Sequence, residues 1–147
     1  MNTARPDLFI ADTDAQALNR LLLDSTRRES EEFPMELAAK LFDAQVLAPR
    51  ALPHGTVRLN STVTYKELPS GRRRRVTLVS PQQADADAGR ISIFSPIGRE
   101  LLGNVVGRVV RVTLPSGQEL PVRIVDVEAP DQAADEAPAR EAATLRA

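Results

Sequence analysis

The sequence contains no cysteine and no tryptophan, and aromatic residues fill only 3% of its 147 positions. Without thiols there is no disulfide framework and no thiolate zinc site, a composition that suits a reducing compartment. No apolar run approaches the roughly eighteen residues that a membrane span needs. The opening stretch, MNTARPDLFIAD, lacks a long apolar leader core. The reading is a cytoplasmic chain without a membrane span.

What is present is the balance of a globular protein, with 42% hydrophobic and 27% charged residues. The length suits one ordinary domain, or one core with a small appendage. Net charge is only −1, but the charges are segregated along the chain. Residues 1 to 54 carry 6 basic and 9 acidic side chains, residues 55 to 118 carry 10 and 4, and the remainder 3 and 7. The middle is basic and both ends are acidic.

The first fifty residues read as two helices. In DTDAQALNRLLLDSTRR, Ala15, Leu18 and Leu22 recur at helical spacing with Leu21 alongside, and Asp12 or Thr13 can cap the first turn. The polar RRESEE stretch interrupts the pattern, and Pro34 suits the first turn of a second helix. In PMELAAKLFDAQVL, Leu37, Leu41 and Ala44 form one stripe, flanked by Ala38, Phe42 and Gln45. The two stripes can face each other as an antiparallel hairpin whose reach is roughly 20 Å at about 1.5 Å per residue.

Residues 51 to 128 read as strands. TVRLNSTVTYKEL alternates Val57, Leu59, Ser61, Val63 and Tyr65 on one face, and a Pro-Ser-Gly turn leads into RRRRVTLVS. RISIFS supplies a third strand, and RVVRVTL and ELPVRIVDVE a fourth and fifth joined by a second Pro-Ser-Gly. Pro121 implies that the fifth strand starts at a sheet edge or carries a bulge. Residues 129 to 147 are Ala-rich and acidic with few large apolar groups, too little to offset the entropy of ordering, and read as a disordered tail.

Between the third and fourth strands lies SPIGRELLGNVVG. Pro96 can start a helical turn, Leu101 and Leu102 can cover the sheet, and Gly103 can close the turn in a left-handed conformation. By itself that is a core-covering crossover. The segment resembles the SPxGxALxG pattern of the bacterial Gre transcription elongation factors, over about residues 90 to 128. The short helical pair and LPHGTVRLNSTVTYKELPSGRRRRVTLVSP resemble one branch of that superfamily, the Rnk family of regulators of nucleoside diphosphate kinase. The likeness covers nearly everything except the tail.

This resemblance implies an α+β fold: a short antiparallel coiled coil, then an FK506-binding-protein-like antiparallel sheet with one short helix. It implies a partner too, RNA polymerase at its secondary-channel entrance. Ser95, Pro96 and Ile97 would then form the contact loop, Ser95 and Pro96 doubling as helix cap and first-turn proline, and Ile97 being either a core residue or an exposed anchor. In full-length Gre factors, acidic residues at the tip of a much longer coiled coil help to hold a second Mg2+ in the polymerase active site. Glu29, Glu31 and Glu32 stand near the tip here, but the arm is too short for that reach, so they read as a solvated loop or an electrostatic contact in the channel mouth. No metal or other cofactor is expected.

Enzymatic readings have little in their favour. A proline isomerase pocket needs several aromatics, and this region offers Tyr65 and Phe94. His54, the only histidine, sits beside a predicted turn without a glycine-rich phosphate loop. Arg72, Arg73, Arg74 and Arg75 alternate between faces, which suggests an exposed edge protected against aggregation, with nucleic-acid contact at most indirect or weak. The expectation is a monomeric, non-enzymatic regulator, with stimulation of transcript cleavage as the alternative.

Overall fold

A computed structural model describes residues 8 to 28 and 34 to 130. In chain order the elements are β1 (Phe9–Ala11), α1 (Asp12–Arg28), α2 (Met35–Asp43), β2 (Gln45–Leu47), β3 (Thr62–Glu67) and β4 (Arg73–Val79), then β5 (Arg90–Ser92), α3 (Pro96–Leu101), β6 (Val109–Thr113) and β7 (Glu119–Glu128). The architecture is α+β. Five strands form one sheet in the order β5-β4-β3-β7-β6. Its pairs are antiparallel except β4 with β5, which run parallel.

The alternation read from residues 57 to 65 describes burial correctly, since Val57, Leu59, Ser61, Val63 and Tyr65 are all buried. It overstates the strand. Asn60 adopts a positive φ of 72°, and the Ser61 hydroxyl accepts from the Arg58 amide at 2.9 Å and donates to the Arg58 carbonyl at 2.7 Å. That tight turn interrupts the strand: Asn60 and Ser61 still bond Leu78 of β4 at 2.6 and 3.1 Å, but regular pairing begins only at Thr62.

Of the two expectations for the strand of Pro121, the sheet edge fails and the bulge holds, though away from the proline. β7 lies inside the sheet, between β3 and β6. The Pro121 carbonyl accepts from Leu68 N at 3.0 Å, just beyond the end of β3. A proline there removes only the outermost bond of that ladder. The bulge of β7 falls elsewhere: Thr64 opposes Asp126 while Tyr65 opposes Ile124, leaving Val125 as the extra residue.

The second helix is shorter than its periodicity suggests. It ends at Asp43, Ala44 is extended, and residues 45 to 47 form β2, which pairs in parallel with β1. Gln45 N donates to Leu8 O at 3.0 Å, and this strand pairing draws Val46, a β-branched residue, out of the helix. Pro34 caps α2 from outside rather than entering it, its carbonyl accepting from Leu37 N and Ala38 N at 3.1 and 3.0 Å.

Leu18 of α1 and Leu37 of α2 are fully buried and share one cluster with Val63, Leu78, Leu101, Val112, Val122 and Ile124 of the sheet side. Each such side chain contributes about 1.5 to 3 kcal/mol on burial. Phe42, expected to flank the α2 stripe, stands 87% exposed, at the rim of a groove it shares with Ala15, Asn19 and Leu22 of α1. No described helix is long and apolar enough to cross a membrane.

Candidate functional site

The Ser95, Pro96, Ile97 loop is built by a concentrated set of backbone contacts. Ser95 is the N-cap of α3: its hydroxyl accepts from Gly98 N at 3.1 Å and donates to Ser92 O at 2.7 Å. Pro96 follows at the first helical position, where a missing amide costs nothing. Gly98 is obligatory for a steric reason. A Cβ there would stand 2.2 Å from the Ser92 carbonyl oxygen, so α3 can lie this close to β5 only without a side chain.

Below the loop, Leu101 and Leu102 are buried against the sheet, and Gly103 turns the chain at φ 89°. Ile97 is half-buried and packs against the edge of the core. It is neither fully core nor fully exposed. Phe94 and Arg99 complete the loop, the Arg99 guanidinium donating to Phe94 O at 2.8 Å.

Sequence reasoning missed the residues that fix α1 and α2 to this loop. The Lys40 ammonium on α2 donates to three carbonyls at the end of α3: Arg99 O at 2.6 Å, Glu100 O at 3.1 Å and Leu102 O at 2.6 Å. A cation at the negative end of a helix is favourable in its own right, even on so short a helix. Arg99 Nε lies 3.6 Å from Glu36 Oε1 of the same α2. The available signal was slight: Lys40 sits between Leu37 and Leu41, at the border of the buried stripe.

A second brace comes from α1. Asp14 is 6% exposed, and its Oδ2 accepts from Leu59 N at 3.1 Å and lies 3.5 Å from Arg58 Nε. An aspartate in the first turn of a helix reads as dipole compensation. Nothing local in the sequence announces that it is buried across the turn before β3.

The arginine run falls where an edge was expected. Arg73, Arg74 and Arg75 belong to β4, whose outer side is paired by β5 only from Thr77 to Val79. Arg74 Nε donates to Glu67 Oε2 at 2.8 Å, and Arg75 Nη2 contacts both Glu128 oxygens at 3.0 and 2.9 Å. The Arg74 hydrogen bond lowers the pKa of Glu67, and the Glu128 hydrogen bond raises that of Arg75. Burial raises that of the Tyr65 hydroxyl. Arg72 lies exposed in the preceding turn. Glu29, Glu31 and Glu32 lie outside the described residues. Among the described residues, no group of three or more His, Cys, Asp or Glu is placed to hold a metal.

Residues 52–129, which contain the loop and the whole five-stranded sheet, match the family described as "Transcription elongation factor, GreA/GreB, C-term". The chain belongs to the GreA/GreB family. Within it, this GreA/GreB chain is 31% identical over 131 residues to the regulator of nucleoside diphosphate kinase of Escherichia coli K12, covering 89% of this chain and 96% of that protein. It is 35% identical over 108 residues to the transcription elongation factor GreA of Chlorobium phaeobacteroides, covering 71% of this chain and 67% of the relative. Among solved structures, a GreA/GreB elongation factor from Nitrosomonas europaea superimposes with a TM-score of 0.67 at 35% identity, over 85% of this chain and 100% of that one. These relatives are regulators and elongation factors rather than enzymes.

Proposed function

We propose that this GreA/GreB-family protein is a non-enzymatic transcription regulator that binds RNA polymerase at the secondary-channel entrance and competes there with Gre factors. Residues 51 to 128 are the dock, folded in the FK506-binding-protein manner, and residues 1 to 50 supply the arm, whose helices α1 and α2 pair as a short antiparallel coiled coil. Residues 129 to 147 are an appended acidic tail. The protein acts as a cytoplasmic monomer.

The observation that carries this reading is the coupling of loop and helices. Ser95, Pro96 and Ile97 are presented on a backbone held by Ser92 and Gly98, and Lys40 ties α2 to the base of that same loop. A dock and an arm that move as one body suit a plug, because seating the loop then fixes where the helices point. α1 spans 17 residues, about 26 Å, and α2 spans 9, about 14 Å. A short arm fills an entrance without extending deep into a channel, and Glu29, Glu31 and Glu32 would meet the channel mouth. Any effect on nucleoside diphosphate kinase is indirect, through transcription.

The experiment is RNA cleavage in a backtracked elongation complex with a Gre factor held constant and this protein titrated in. Suppression of cleavage, with none from the protein alone, is the expected result. Cleavage stimulated by the protein alone would give the tip glutamates a metal-binding role instead. No effect at saturating concentration would remove the polymerase reading.

A further inference from the structure

The outer face of the five-stranded sheet, opposite the core, carries a charge arrangement that neither the loop nor the edge explains. Strand register places Arg73 of β4 directly opposite Lys66 of β3, and Lys66 directly opposite Arg123 of β7. Side chains opposed in register share a face. At about 4.8 Å between strands, the three cations form a row about 10 Å across. Among the described residues, none of the three takes part in an ion pair.

Like charges directly opposed across strands destabilise a sheet. Edge protection accounts for Arg73, but β3 and β7 are inner strands with both sides paired, so Lys66 and Arg123 have no edge to protect. The carboxylates of this face do not compensate. Glu128 is held by Arg75 at 2.9 Å, and Asp126 lies in the neighbouring row, opposite Thr64.

We propose that the Arg73, Lys66, Arg123 row is a binding site for the phosphate backbone of nucleic acid. Each nucleotide of a strand carries one charge, roughly 3.4 Å of helix axis apart in a duplex and farther apart along the backbone itself, so a row of this width meets about two to three phosphates. The guanidinium forks suit phosphate oxygens, and the next position of β3 on this face, Thr64, offers a hydroxyl; Thr62 and Thr77 beyond it bond each other at 2.9 Å. The row and its neighbours carry no aromatic ring on which a base could stack, so the contact grips the backbone and reads no sequence. This goes beyond the polymerase reading and does not depend on it.

The test uses the full chain and a fluorescein-labelled single-stranded DNA of about 20 nucleotides, followed by anisotropy from about 20 to 200 mM salt. Three phosphate contacts predict that log K falls with log salt at a slope near −2, from about −0.7 per contact on a single strand. Lys66→Gln, Arg73→Gln and Arg123→Gln each reduce the magnitude of that slope by about 0.7, and the triple variant loses about tenfold or more in affinity at low salt. Arg74→Gln, on the opposite face, leaves the slope unchanged. Single variants keep the test valid if the triple variant folds poorly. Absence of salt-sensitive binding by the natural chain, or equal binding by the triple variant, overturns the proposal. So does tighter binding of a polyglutamate peptide of matched charge, which would assign the row to an acidic protein surface.

Discussion

The Lys40 ammonium reaches across 62 positions of sequence to donate to the Leu102 carbonyl oxygen at 2.6 Å. It does the same to Arg99 and Glu100, so one side chain closes the end of α3 and anchors α2 to it. Replacing Lys40 with Met keeps the apolar stem and removes all three bonds. A loss of about 2 to 3 kcal/mol is expected, read as a lower urea midpoint with an unchanged slope.

The Asp14 and Arg58 pair, 3.5 Å apart with both side chains almost fully buried, predicts a strongly asymmetric double-mutant cycle. Asp14→Ala alone leaves a buried guanidinium without that carboxylate and is expected to cost about 3 kcal/mol or more. Adding Arg58→Met to it should recover part of the loss, because the remaining charge is gone. Chemical denaturation of the four proteins measures the coupling. Equal and additive losses would show that the pair does not act as a unit.

The loop permits a graded experiment on shape. Ser95→Ala removes the cap and should cost about 1 kcal/mol. Gly98→Ala must instead displace α3 from the Ser92 carbonyl, where its Cβ would stand at 2.2 Å, and about 1 to 3 kcal/mol is expected for such overpacking. Both variants should weaken suppression of Gre-stimulated cleavage. The glycine variant should weaken it more, and more than its fraction unfolded at assay temperature explains.

An acid limb of the stability profile is expected from Glu67. Its folded pKa lies below the ordinary 4.5, chiefly because it accepts a hydrogen bond from Arg74. A depressed folded pKa contributes stability that is fully present above 4.5 and is lost as pH falls through the folded value. Thermal melts from pH 6 to pH 3 should therefore show the natural chain ahead of Arg74→Gln at the upper end. The gap should close toward the lower end. A constant gap would assign the effect of Arg74 to packing rather than to charge.

Much of the sheet was legible in the sequence because its signals are local. The two Pro-Ser-Gly turns and the alternation around Val63 and Val112 mark both hairpins, β3 with β4 and β6 with β7, and Ser95, Pro96 and Gly103 mark the start and stop of α3. What escaped depends on distant pairing. Residues 9 to 11 and 45 to 47 are too short to read as strands, and become strands only because each is the other's partner. Asp14 and Lys40 looked like ordinary helix-surface charges, since their partners lie 45 and about 60 positions away. Phe42 flanks the buried stripe in sequence yet is exposed, because spacing along a helix does not reveal how wide its packed face is. The row of Lys66, Arg73 and Arg123 exists only once the register is known.

The parallel pairing of β1 with β2 fastens the two ends of the helical excursion together, from Phe9 with Gln45 to Ala11 with Leu47. Everything between Ala11 and Gln45 therefore leaves from and returns to a single clasp, itself bonded to Gly103 beside α3. Such a clasp makes length a separable variable: whole turns inserted in matched pairs at the far end of α1 and the start of α2 would extend the reach while the clasp, Asp14 and the sheet stay as they are. One architecture can in this way be tuned for reach by changing a single stretch of sequence.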